Sequence, residues 1–392
     1  MMSRRRHLPL LKWALPVLVG LVPFHARAAA NLDMTTEPAR PGDISECYRL
    51  AGEPYAPPAY SGVAIEAIEP EAAIRACETA RQAEPRDAML TDLAARAYQA
   101  RGDFETARRL YEEADRAGNA YGKANLAWFF IEGTLGETDA PRGIAMLEAA
   151  AATGNSLAQY SLGLIYREGR ADVAPDPGKA VGWLEKAAAQ GHAIAMYDLA
   201  IMLRDGAGVA VDEKASLSWL EKAAGLGDAD SMAALGYAYE QGLGTPVDYG
   251  KAREWYARAA DGQQVDAMTN LGRLYEAGEG GERDYVRAFD LYSRAAEAGN
   301  PTAMANLANL YEFGLGTDAN PKQAAYWLAR AIMAGNEDTL AQLLTAPEDF
   351  SAAVIEALQV FLQGRGLYAG ETDGKLNPET AAALSKLPGA QP

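Results

Sequence analysis

A leucine recurs at Leu126, Leu162, Leu199, Leu235, Leu271 and Leu307, in steps of 36, 37, 36, 36 and 36 residues. A glycine keeps the same phase at Gly133, Gly169, Gly206, Gly242, Gly278 and Gly314. Trp183, Trp219, Trp255 and Trp327 form a third series, with Leu147 and Leu291 read into that position in the other two units. Three landmarks in one phase over six units restrict the chain to a repeat architecture. One unit cannot bury its apolar side alone, so neighbours must stack.

Each unit reads as two helices. In 231–241, Met232, Leu235, Gly236 and Tyr239 fall at helical spacing. Gly236 allows a facing helix to approach closely, and Gly242 and Gly244 are suited to a left-handed helix end. Residues 251–260 give a second helix that packs through Ala252, Trp255, Tyr256, Ala259 and Ala260. Asn300-Pro301 is a helix start, a cap followed by proline at the first turn. Gln263 stands where the other units close with glycine, so a different turn is expected there.

The pattern A-x-x-x-L-G-x-x-Y-x-x-G followed by K-A-x-x-W-x-x-K-A-A-x-x-G resembles the Sel-one-like repeat (SLR) family, relatives of the tetratricopeptide repeats. The resemblance implies an all-α fold: a right-handed α-solenoid of stacked helix pairs, whose first helices line a concave side. It covers six units over residues 121–336. Residues 71–120 are expected to form an N-terminal cap and one tetratricopeptide-like unit, carried by Ala94, Tyr98, Gly102, Ala107, Tyr111 and Ala114. End units of such stacks are atypical because one face meets solvent.

Residues 1–28 read as a signal peptide. Arg4, Arg5, Arg6 and Lys12 precede an apolar run from Trp13 to Phe24, too short to span a bilayer, and Ala26-Arg27-Ala28 fits a cleavage site. SRRRHL loosely resembles a twin-arginine signal, but His7 replaces the usual phenylalanine, which favours the general secretory route. The whole chain carries −17; residues 1–28 hold five basic residues and no acid, leaving −22 on the remainder. So acidic a surface disfavours nucleic acid and anionic lipid. No later stretch is apolar for long enough to span a membrane. An extracytoplasmic, periplasmic location is the expectation.

Residues 29–70 form a Pro-rich segment, least structured from Asn31 onward. Cys47 and Cys77 are the only cysteines. In an oxidising compartment they most simply pair, stapling the N-terminal cap to the first helices. There is no C-x-x-C and no nearby histidine to suggest a redox or metal role.

Residues 337–387 leave the period, and 388–392 are a tail. Leu358, Gln359, Leu362, Gly366, Tyr368, Gly370, Asp373, Gly374, Pro378, Thr380, Ala383 and Leu384 resemble a small peptidoglycan-binding-like helical module. Asn377 replaces its usual glycine, and the final aromatic-Gln pair is missing. The resemblance makes Tyr368, Asp373 and Thr380 candidates for cell-wall contact. The alternative is a cap that buries the last repeat's apolar edge.

Beyond residue 28 there is one histidine, His192, at a repeat turn. No serine is marked as its partner in a triad. H-E-x-x-H, Cys/His clusters, P-loops and calcium loops are lacking. No catalytic residue, cofactor or metal is expected. What remains is a surface. In the concave face that the resemblance implies, the partner-binding residues are Tyr121, Trp128, Tyr160, Arg167, Tyr197, Arg204 and Tyr237. This early groove is aromatic and basic-tipped, and suits an acidic or extended partner segment; tyrosine there is also explained by packing. Three functions compete: an exported protein-interaction scaffold, a cell-wall-associated binder, and a glycan-cleaving enzyme, which lacks a recognisable site.

Overall fold

The computed structural model describes residues 44–53, 63–136 and 138–389, and among them it is all helical. The proposed signal peptide, most of the Pro-rich segment and the last three residues lie outside the described residues. Helices α1 (Ile44–Ala51), α2 (Pro70–Ala83), α3 (Ala88–Ala100) and α4 (Phe104–Arg116) come first. Six pairs follow: α5 (Ala120–Glu132) with α6 (Ala140–Ala152), α7 (Ser156–Glu168) with α8 (Pro177–Ala189), and α9 (Ala193–Asp205) with α10 (Glu213–Gly225). The other three are α11 (Ala229–Gln241) with α12 (Tyr249–Asp261), α13 (Val265–Ala277) with α14 (Tyr285–Glu297), and α15 (Pro301–Phe313) with α16 (Pro321–Met333). The chain ends in α17 (Glu337–Thr345), α18 (Ala352–Gly364) and α19 (Pro378–Leu384).

Local chemistry explains the uniform helix length. Every first helix of the six pairs opens on a side-chain cap: Asn119, Asn155, His192, Asp228, Gln264 and Asn300 each accept a bond from the backbone N–H three residues on. Every second helix opens the same way on Asp139, Asp176, Asp212, Asp248, Asp284 or Asn320. Such caps contribute about 1 kcal/mol each. The periodic glycine ends each first helix with φ between 65° and 77°. The expected departure at Gln263 does not occur: Gln263 adopts φ 63°, the left-handed turn its glycine counterparts make.

The 37-residue step has a local cause. Cap to cap, the α7–α8 loop is one residue longer than its counterparts, and there Ala171 and Asp172 take positive φ. This shift corrects the reading of Leu147. Counted from the caps Asp139 and Asp176, Leu147 aligns with Leu184, and Met146 takes the tryptophan position.

The buried column of the second helices is Leu147, Leu184, Leu220, Tyr256, Tyr292 and Leu328. Tryptophan stands one residue before it. Trp183, Trp219 and Trp255 are only half-buried, with Lys186, Lys222 and Arg258 over their rings at 3.8, 3.8 and 4.6 Å. They seal the edge of the stack with one apolar face and a cation outside.

Where the buried column is tyrosine, the facing first helix supplies glycine. A Cβ on Gly236 would lie 2.5 Å from the Tyr256 ring, and one on Gly272 would lie 2.7 Å from Tyr292. The hydroxyls donate to Glu240 at 3.0 Å and Glu276 at 2.9 Å. Burial first, then these carboxylates, pushes both phenols well above their ordinary pKa. Leu220 and Leu328 instead face alanines, Ala200 and Ala308, both buried.

Within the Pro-rich segment the described residues include one short α-helix, α1, of eight residues. Helix α1 fits between Pro41 and Pro54, so these residues bound it rather than interrupt it. Cys47 and Cys77 are bonded, both fully buried, and join α1 to α2. At the other end, the cap Asn336 and the buried Leu343 keep the repeat phase into α17. Helix α18 then packs on α16, and its Val354, Ile355, Leu358 and Leu362 share one core with the last repeats.

Candidate functional site

Helix α3 touches α5, α5 touches α7, and α11 touches α13, whereas second helices pack chiefly on the first helices either side of them. The first helices therefore line the inner side of the stack. Its surface positions stand five residues before, one or two before, two after and five or six after each landmark leucine.

All seven residues expected to form the groove lie in this stripe, half-buried. Tyr121 lies near the start of α5, and burial raises the pKa of its phenol. Trp128 donates its indole N–H to Ser161 Oγ of the next unit at 3.1 Å. The Tyr160 ring packs on His192 with centroids 4.5 Å apart. Tyr197 and Tyr237 rest on the core that begins at Ala200.

The two arginines do not provide the free positive charge that the sequence suggested. Arg167 binds Asp198 at 2.9 Å and Glu168 at 2.8 Å. Burial works against its charged form, but Asp198 and Glu168 more than offset it, and its pKa rises. Arg204 makes a two-pronged pair with Asp205 at 2.7 and 3.1 Å. Further along, Arg273 bridges Glu240 and Glu279. The inner face is thus tied by ion pairs, across units at Arg167–Asp198 and Arg273–Glu240 and within one helix at Arg204–Asp205. These partner carboxylates were missed. Their signal was an acid 31 residues after a base, Arg167 to Asp198, which joins the end of one first helix to the middle of the next.

The stripe on α3 is not open. Asp92 and Ala95 are fully buried there, although the counterpart of Ala95 in the next unit, Trp128, is half-exposed. Ala51, Glu53 and Val63 lie against α3 there. Arg96 donates to Ala51 O at 3.0 Å, to Glu53 at 2.9 Å and to Val63 O. Asn125 of α5 donates to Glu53 at 2.7 Å and to Asp92 at 3.1 Å. Burial, and then the charge of Glu53, pushes the Asp92 carboxyl well above its ordinary pKa. This strap was also missed, yet Arg96 marks it. It is the one charge in a column that otherwise reads Phe129, Ile165, Met202, Ala238, Leu274 and Leu310.

His192 is a helix cap. Its Nδ1 accepts from Ala195 N at 3.2 Å, and burial pushes its pKa down to about 3. Among the described residues there is no cluster of His, Cys, Asp and Glu arranged to hold a metal, and no helix long and apolar enough to cross a membrane.

In the C-terminal module Tyr368, Asp373 and Thr380 are brought together around Gln359, with Tyr368 and Thr380 buried and Asp373 at the exposed rim. Gln359 Nε2 donates to Asp373 at 3.1 Å and Thr380 at 3.2 Å and approaches the Tyr368 hydroxyl at 3.4 Å, while Gly374 N donates back to Gln359. Tyr368 is 5% and Thr380 0% exposed. Their polar atoms organise the module's core.

The Sel1 repeat model matches residues 120–155, 156–192, 193–228, 229–263, 265–300 and 301–336. The chain belongs to that family. It is similar to c5321, a protective antigen of uropathogenic Escherichia coli strains with an SLR fold, at 27% identity and a TM-score of 0.58. That match covers 71% of this chain and 62% of the antigen, so the chain spans under two thirds of this relative's length. A Sel1 repeat protein from Oxalobacter formigenes is similar at 29% identity and a TM-score of 0.55, over 62% of this chain and 96% of that one. No curated protein matches the chain.

Proposed function

We propose that this Sel1 repeat chain is an exported, non-enzymatic scaffold of the bacterial envelope that holds a protein partner along the inner face of its repeats. The observation that carries this reading is the row of half-buried aromatic side chains, Trp128, Tyr160, Tyr197 and Tyr237, running across four consecutive units on one face. Large, rigid, part-exposed aromatic rings are the side chains that dominate binding hot spots. Stacking keeps them in line at little entropic cost. The buried disulfide supports an oxidising compartment. The C-terminal module enters as an end cap, since its core is continuous with α16; its inward-turned Tyr368 and Thr380 lend no support to cell-wall binding.

The test places a photo-crosslinking amino acid at Tyr197 in intact cells. A discrete adduct is expected, and it should disappear in the Trp128→Ala variant while helicity and melting temperature hold. Absence of any adduct from Tyr197 and Tyr237 alike, or equal loss of folding in the variant, would sink the reading.

A further inference from the structure

We infer that Glu53 and Asp92 form a proton-held latch, which keeps the N-terminal chain on the inner face of α3 and releases it when the proton is lost. The geometry is a buried cluster with one carboxyl too many. Glu53, Asp92 and Arg96 are 3%, 0% and 3% exposed. The Asn125 side-chain nitrogen donates to Glu53 at 2.7 Å and to Asp92 at 3.1 Å, which holds the two carboxyls side by side. Arg96 donates to Glu53 at 2.9 Å and also to the carbonyls of Ala51 and Val63. Asp92 Oδ2 is buried, with no hydrogen-bond partner among the described residues. An acceptor oxygen with nothing to accept, beside a second carboxyl, is the place for a proton: as the acid, Asp92 gains a donor. Two ionised carboxyls against one guanidinium would leave a buried charge without compensation.

The neighbouring helices do not supply the missing positive charge. Arg49 of α1 pairs with Glu46. Arg81 of α2 reaches Thr91 at 3.3 Å, but its charge goes to Glu78 and Glu113. Tyr111 of α4 and Tyr121 of α5 bring only phenols, both raised in pKa by burial, and the Tyr111 hydroxyl donates to Gln99 at 2.7 Å. Burial and then Glu53 raise the Asp92 carboxyl, and Arg96 and Asn125 pull it back only in part. The closed state therefore binds a proton that the open state gives up. Closure is complete below the ordinary carboxyl pKa and is lost as pH rises through the closed-state value. On ionising, Asp92 repels Glu53 and takes over Arg96, which lies one turn along the same helix. Asp92 and Arg96 stay in place because α3 packs between α2 and α4. Cys47–Cys77 ties α1 to α2, so the release is confined to the chain beyond that bond. What it uncovers is Ala95, fully buried when closed, in the register of Trp128. The inner face then gains a unit at its N-terminal end.

The experiment uses residues 29–392, the chain without its proposed signal peptide, and two readouts. Infrared spectroscopy reads the proton. A carboxylic-acid C=O stretch should be present at about pH 7, lost by about pH 9, and absent from Asp92→Asn. Hydrogen exchange reads the latch at the Val63 amide, which donates to Gly52 O at 2.9 Å. Corrected for the intrinsic pH dependence of exchange and referred to α16, this amide should exchange at least about ten-fold faster at about pH 9 than at about pH 7, since opening linked to one proton gains up to about ten-fold per pH unit. Asp92→Asn and Glu53→Gln each leave one carboxyl for Arg96, and each should change by less than about two-fold over the same range. Where Asp92→Asn fails to fold, Glu53→Gln carries the comparison. A rise like the wild type's in either variant overturns the inference, as does a spectrum without the acid band at about pH 7. A flat wild-type response overturns it too, because the proton would then control nothing. Fast exchange of Glu53→Gln already at about pH 7 would mean that the Arg96–Glu53 charge pair, and not the proton, closes the chain onto α3.

Discussion

Gly236→Ala isolates the packing rule that sets this stack. The new methyl would sit 2.5 Å from Tyr256 Cδ1, where carbon atoms rest at about 3.5–4 Å, so the ring must move by roughly 1–1.5 Å. It has nowhere to go: Tyr256 is fully buried and its hydroxyl is pinned to Glu240. Overpacking of this kind costs about 1–3 kcal/mol, while replacing a mid-helix glycine by alanine returns about 1 kcal/mol. The expected net loss is about 0–2 kcal/mol. Tyr256→Leu alone leaves a cavity and removes one of Glu240's partners while Arg273 stays, and costs about 2–3 kcal/mol. The double variant recreates the Ala200–Leu220 pairing of the preceding unit. It should be more stable than the sum of the single losses by about 2 kcal/mol. Urea denaturation of the four proteins, followed by circular dichroism, reads this coupling. Additive losses to within about 0.5 kcal/mol would refute the reasoning, because they would mean that the methyl and the ring do not compete for one space.

Gln263→Gly should raise stability by about 0.5–1 kcal/mol, since the native φ of 63° is strained for a side chain; a lower urea midpoint would contradict this. His192 has a depressed pKa in the fold, so the unfolded chain takes up its proton first as pH falls, and stability is lost below an unfolded pKa near 6.5 down to about 3. At pH 5 the loss is about 2 kcal/mol. His192→Asn should remove that part of the pH dependence, and identical slopes in the two proteins between pH 7 and pH 5 would count against it. Asp92 has the opposite sign: its raised pKa lends stability that is fully present below the ordinary carboxyl pKa and lost as pH rises through the folded value. Asp92→Asn should therefore flatten the fall in stability that begins above the ordinary carboxyl pKa without weakening the strap, measured by hydrogen exchange in α3; faster exchange there would show that the charge itself is needed. Reducing Cys47–Cys77 frees a crosslink between residues 30 apart and should cost about 3–4 kcal/mol, seen as a lower melting temperature with reductant.

What the sequence determined by itself was everything that depends on near neighbours along the chain. The caps, the left-handed glycines, the helix pairs and the close approach at Gly236 follow from residues within one unit, where a 3.6-residue period and a capping side chain act locally. Even Arg96 could be seen as a charge in an apolar column. At Leu147 a register difference of one residue, set by the longer α7–α8 loop, separates the core position from the edge position before it. The tertiary structure alone decided which polar groups meet between units. Arg167 finds Asp198, and Glu240 finds Arg273, only because stacking turns each first helix by a set angle against the next. That angle is absent from the residues of any one unit. It turned a face that reads as basic-tipped into one whose cations are already taken. The strap was hidden for the same reason: Glu53 and Asn125 are 72 residues apart, and only the closing of the N-terminal end onto α3 and α5 places them within one hydrogen bond.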